Sequence, residues 1–113
     1  MDINVKGIGA DGYVYLSRGS SLEVALAFEY KGRPQTATLE LVMKQGLFGT
    51  EYLCGVPTVD VKGATVWELR TGNPSYIVPV GVKDGSQDVR MHITTEDGKE
   101  KYSDWLTDCI WIS

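Results

Sequence analysis

Leu22, Val24, Leu26, Phe28 and Tyr30 alternate with Glu23, Ala25, Ala27 and Glu29. A two-residue period of this kind predicts a strand with one buried face and one wet face. Lys31-Gly32-Arg33-Pro34 turns the chain, and Ala37, Leu39, Leu41 and Met43 then alternate with Thr36, Thr38, Glu40, Val42 and Lys44. The two runs read as an antiparallel pair. Val89, Met91 and Ile93 alternate with Arg90, His92 and Thr94, and Glu96-Asp97-Gly98-Lys99 follows as a tight turn in which Asp97-Gly98 supplies a residue able to take positive φ. The segment from Trp105 to Ser113 reads as a final strand, with Cys109-Ile110-Trp111-Ile112 inside a sheet and closing the fold.

Shorter strands are expected at Ile3–Val5, Tyr13–Leu16, Glu51–Cys54, Val56–Val61, Ala64–Leu69 and around Tyr76–Val82. Gly55 and Pro57 interrupt the middle pair, and a proline there marks an edge strand. Strands spaced by turn chemistry predict an all-β fold, an immunoglobulin-like antiparallel β-sandwich of about seven to nine strands in one domain over residues 1–113. A small β-barrel is the alternative. Cys54 lies mid-chain and Cys109 on the last strand, so the immunoglobulin disulfide spacing is missing.

Composition adds a core of ordinary size: 113 residues, 42% hydrophobic and 23% charged. The net charge of −4 is concentrated in one place. Between Asp84 and Asp108 there are seven acids and three bases, whereas the rest of the chain balances eight against eight. Without a basic stripe, nucleic acid is not expected as a partner. Met1–Lys6 has neither a basic start nor an apolar run, and no stretch approaches the ~20 apolar residues of a membrane span. These features predict a soluble protein made in a cytoplasm, with no membrane partner. Free buried thiols are expected in that setting.

Reactive groups do not converge. Gly7-Ile8-Gly9-Ala10-Asp11-Gly12 matches the dinucleotide fingerprint, but Tyr13-Val14-Tyr15-Leu16 follows where that motif needs a helix N-terminus to receive a pyrophosphate. The stretch reads as a connector. His92, the one histidine, falls on a wet strand face; Ser103 or Ser86 with Asp104 or Asp88 would need a strained nucleophile turn to form a triad with it. One histidine and two distant cysteines suit no zinc site, and the acids lack calcium-loop spacing. No enzyme, cofactor or metal is expected.

Aromatic residues offer binding surfaces instead. Trp67, Tyr102, Asp104 and Trp105 are candidates for stacking on a sugar ring or anchoring a protein partner, with burial in the core as the alternative for the tryptophans. Leu47 and Phe48 stand at a loop tip and either tuck beneath it or meet a partner. The last strand is apolar on both faces, Leu106, Ile110 and Ile112 against Trp105, Cys109 and Trp111. This predicts burial on one side by a second sheet and on the other by a neighbouring subunit.

Arg18-Gly19-Ser20-Ser21 leading into a strand, then Lys31-Gly32-Arg33-Pro34 and another strand, resembles the start of the small β domains at the N-termini of phage baseplate and tail-fibre proteins. The stretch from Asp88 to Lys99 and the closing strand to Ile112 are similar to the way those domains end, and also to the last hairpin of a fibronectin-type domain. Where the phage domains often carry an acidic-leucine-glycine step, this chain has Gln35-Thr36-Ala37. The resemblance implies an attachment or adaptor domain of a virion, with no catalytic residues to carry over; the two apolar faces of the last strand add the expectation of a homo-oligomer with protein partners. Alternatives from the residues alone are a polysaccharide-binding module and an acidic inhibitor of a basic partner, using Asp84 to Asp108.

Overall fold

A computed structural model describes residues 2–62, 64–69 and 75–113, with side chains described for 3–62 and 76–113. It contains β1 (Asp2–Val5), β2 (Val14–Leu16), β3 (Ser21–Tyr30), β4 (Gln35–Lys44), β5 (Tyr52–Gly55), β6 (Thr58–Val61), β7 (Ala64–Leu69), β8 (Ser75–Ile77), β9 (Gly85–Thr95) and β10 (Lys101–Ile112). Of the loop that the sequence predicts at 71–75, residues 71–74 lie outside the described residues and Ser75 opens β8. No helix among the described residues is long and apolar enough to cross a membrane.

Two sheets face each other. One runs β1-β3-β7, with β8 also on β3; the other runs β2-β10-β9-β4-β5, with β6 also on β4. Leu22, Val24, Leu26, Phe28 and Tyr30 from the first sheet meet Leu39, Leu41, Met43, Val89, Met91, Ile93, Ile110 and Ile112 from the second in one buried core. The order β10-β9-β4 in one layer and β1-β3-β7 in the other is that of an immunoglobulin-like sandwich, and β5 and β6 extend the second layer as the extra strands of a variable-type domain do.

Two expectations need correcting. β3 and β4 do not pair: β3 bonds β1, β7 and β8, whereas β4 bonds β9, β5 and β6. Each is buried on one face, and placing those faces opposite each other buries both, so the turn at 31–34 crosses between layers. Nor is the sandwich wholly antiparallel, because β2 runs parallel to β10. The glycine-rich connector explains this. Gly7 and Gly12 both take φ +87°, which L side chains rarely adopt. They let the chain leave the first sheet at Val5 and join the second at Val14.

β10 carries a bulge. From Leu106 to Ile110 it advances four residues while β9 advances two, from Val89 to Gln87. Two extra residues preserve the inward phase, so Leu106, Ile110 and Ile112 all pack on the core. Asp108, at φ +51°, makes the turn, and Cys109 is turned inward and buried. Cys109 is therefore not part of an exposed interface with Trp111. Both cysteines are free and buried.

Candidate functional site

The strand register sorts the outer face of the six-stranded sheet into rows, because cross-strand partners share a face. Leu53, Val42, Arg90 and Trp105 form one row. Glu40, His92 and Ser103 form the next. At the far end Ser86, Trp111 and Tyr15 line up. Ser86 and Arg90 are four residues apart on β9, so the two aromatic rows are separated by roughly 13 Å.

Trp105 is 37% exposed and Trp111 39%. The Lys44 Nζ lies 4.7 Å from the centroid of the Trp105 ring and the Arg90 guanidinium carbon 5.6 Å from it. Contacts of this type contribute about 0.5–1 kcal/mol each at exposed sites. Arg90 also reaches Glu40 and Glu51, at 3.7 Å each, and its Nε is buried without a partner. Val42 is buried beneath this group on the outer face, although its neighbours in the pattern are polar. The sheet thus presents an indole beside two cations, Arg90 held by two carboxylates and Lys44 held by the Leu47 carbonyl at 3.2 Å.

The Trp111 row has a different chemistry. Tyr13 meets Trp111 edge-on at 5.8 Å and tilts against Tyr15 at 6.2 Å. The Tyr13 hydroxyl and Ser86 Oγ both donate to Asp108 Oδ1, and Tyr15 donates to Asp11 Oδ2. The Ser86 bond, then the Tyr13 bond, holds the Asp108 carboxyl below its ordinary pKa. The Tyr15 bond, helped by the Tyr13 N–H, does the same for Asp11. The Tyr13 and Tyr15 hydroxyls shift upward because each donates to a carboxylate.

Not all the sequence candidates meet. Tyr102 and Asp104 pair with Ile93 and Met91, the inward phase of β9, and the Tyr102 ring packs on Phe28 at 5.3 Å. They stand on the opposite face from Trp105, so the three do not form one platform. Trp67 pairs with Phe28 along the backbone, and its side chain lies outside the described residues. Leu47 and Phe48 project from the loop between β4 and β5, with Phe48 96% exposed, so neither tucks under it. Arg90, Lys44, Leu53, Tyr13 and Tyr15 were not singled out by sequence. Their signal is register, which appears only when strands pair.

His92 shares its row with Ser103 and Glu40, but Glu40 turns to Arg90. Among the described residues no three histidine, cysteine or acidic side chains gather as a metal site. The acidic C-terminal region is largely consumed by the fold itself. Asp84 pairs with Arg18 at 2.7 Å, Asp88 accepts from the Asp108 N–H at 2.8 Å, and Asp104 accepts from the Trp105 N–H at 2.9 Å. Asp97 is held below its ordinary pKa first by the Lys99 N–H and then by Thr95.

No protein-family model matches the chain, and no curated protein matches it.

Proposed function

We propose that this protein is a non-enzymatic interaction module, a structural component of a phage or prophage particle that assembles with copies of itself through the outer face and edges of its six-stranded sheet. One observation carries the reading. Tryptophan, tyrosine and arginine, the residue types that dominate protein-binding hot spots, collect on that single face as Trp105, Arg90, Trp111, Tyr13 and Tyr15. The particle setting rests on the resemblance of the 18–34 and 88–112 segments to baseplate and tail-fibre domains. Trp105 fits the anchoring role because neighbouring cations fix its ring before any partner arrives, which reduces the entropy lost on binding.

Light scattering on a sizing column tests this. The expected result is a discrete oligomer whose mass is the same with and without reductant, since neither cysteine is on the surface. A monomer across the accessible concentration range overturns the assembly reading.

A further inference from the structure

β10 is twelve residues long, and β2 covers its outer edge only at Ile110–Ile112. The run from Lys101 to Leu106 pairs with β9 on one side and is an edge of the sheet on the other. Edges are templates for strand addition, and natural sheets blunt them by shortening the strands. β1, β2, β5, β6 and β8 are cut to three or four residues in this way. The β10 run is not.

Parity decides which backbone groups this edge leaves open. The Thr95 N–H donates to the Glu100 carbonyl at 3.1 Å, which makes those two a hydrogen-bonded pair. Such pairs alternate along an antiparallel ladder, so Tyr102, Asp104 and Leu106 bond to Ile93, Met91 and Val89. The opposite side of β9 agrees. Glu96 N–H donates to the Thr36 carbonyl at 2.8 Å, which assigns the even-numbered residues of β9 to β4 and the odd-numbered ones to β10. The N–H and C=O groups of Lys101, Ser103 and Trp105 consequently point away from the sheet, and of these the Trp105 N–H is held by the adjacent Asp104 carboxylate at 2.9 Å.

We infer that this edge pairs with the same edge of a second copy, antiparallel across a two-fold axis at Ser103; the inference rests on the assembly reading above and specifies its interface. With the axis at Ser103, Ser103 faces Ser103 and Lys101 faces Trp105 on each side, so the five open backbone groups find partners once the Trp105 N–H exchanges Asp104 Oδ1 for the facing Lys101 carbonyl. Moving the axis to Asp104 sets two carboxylates directly opposite each other, which is destabilising. Moving it to Tyr102 sends Trp105 against Lys99, in the turn before β10 begins. In the Ser103 register each Lys101 ammonium lies beside the other copy's indole on the outer face, a favourable cation–aromatic contact. Glu40 and Glu51, already beside Arg90, limit the positive charge that gathers there. The contact is isologous and closes at two copies, joining two sandwiches through one continuous sheet.

Ser103→Pro tests the edge without disturbing β9, because the N–H that proline removes points outward and an edge tolerates it. The wild type should run at twice the chain mass and Ser103→Pro at the chain mass, with the same circular dichroism spectrum. The register has its own test. Ser103→Cys should cross-link to itself under mild oxidation, since hydrogen-bonded partners sit about 5.5 Å apart at Cα. Lys101→Cys and Trp105→Cys should cross-link only when mixed. A wild-type oligomer that a folded Ser103→Pro leaves at full mass overturns this interface and leaves the assembly reading standing. Self-linking of Lys101→Cys in place of Ser103→Cys overturns the register. A monomeric wild type overturns both the interface and the assembly reading.

Discussion

Tyr76→Phe is expected to lower the unfolding free energy by about 1–3 kcal/mol, the usual consequence of leaving a buried acceptor unpaired. The reason lies in a defect at the edge of the second sheet. β4 pairs with β5 and β6 in near-continuous register, and Leu39 falls opposite Pro57, whose carbonyl accepts the Leu39 N–H at 2.8 Å. The return bond cannot form, because proline has no N–H. The Tyr76 hydroxyl donates to the Leu39 carbonyl instead, at 2.9 Å and fully buried. Gly55 makes room for the ring: a Cβ there would lie 3.1 Å from Tyr76 Cδ1. Tyr76 thus fastens β8 of one layer to β4 of the other with the bond that Pro57 omits.

The claim separates from simple loss of packing, since phenylalanine keeps the ring. Urea denaturation of wild type, Tyr76→Phe, Pro57→Ala and the double variant forms a cycle. In the Pro57→Ala background the restored N–H can serve Leu39, so the cost of Tyr76→Phe should shrink. Equal costs in both backgrounds would mean that the hydroxyl is not substituting for the missing strand donor.

Stability should fall as pH rises above about 9. Burial pushes the Cys54 thiol from 9.0 up to about 12, and burial together with Asp88 and Asp108 pushes Cys109 up to about 11. A raised folded-state pKa means that the native protein holds its proton while the unfolded chain gives it up. The thiol contribution is therefore fully present below pH 9 and is lost as pH passes through 11 and 12, with a limiting slope of ~1.4 kcal/mol per pH unit for each thiol. Burial raises the Tyr76 hydroxyl in the same sense. Denaturant midpoints measured in reductant from pH 7.5 to 11 give the slope, and Cys54→Ala and Cys109→Ala should each flatten it relative to the wild type. A slope unaltered by either substitution would assign the alkaline loss to other groups. In the native protein near pH 8 neither thiol should react with a disulfide reagent, whereas both should react in denaturant.

Alternation alone located β3, β4 and β9 and their buried faces, because a half-buried strand writes its two environments directly into residue order. Asp97-Gly98 marked the turn between β9 and β10, since positive φ at Gly98 is a local requirement. Most of the shorter elements were also legible from their flanking glycines and prolines, including the broken edge at Gly55 and Pro57, but the strand expected around Tyr76–Val82 is confined to Ser75–Ile77. The strand spacing carried the sandwich as well.

Pairing was decided only by the folded chain. Nothing local distinguishes a turn that makes a hairpin from one that crosses between layers, and so β3 and β4 read as partners although each completes a different sheet. The bulge in β10 was likewise invisible. Asp108 adopts positive φ without being glycine, and its conformation is supported by Asp88 and Ser86 of β9 and by Tyr13, just before β2. That bulge buries Cys109 and leaves Trp111 outside.

The surface followed the same rule. The sequence by itself determined that strands would form, which of their faces would be apolar and that aromatic residues would be in surplus. Tertiary structure decided that Trp105 stands beside Arg90 and Lys44, that Tyr102 turns to Phe28, and that the backbone of Ser103 faces outward. These outcomes depend on register and sheet order, which are set by contacts between residues far apart in the chain and leave no periodic mark within it.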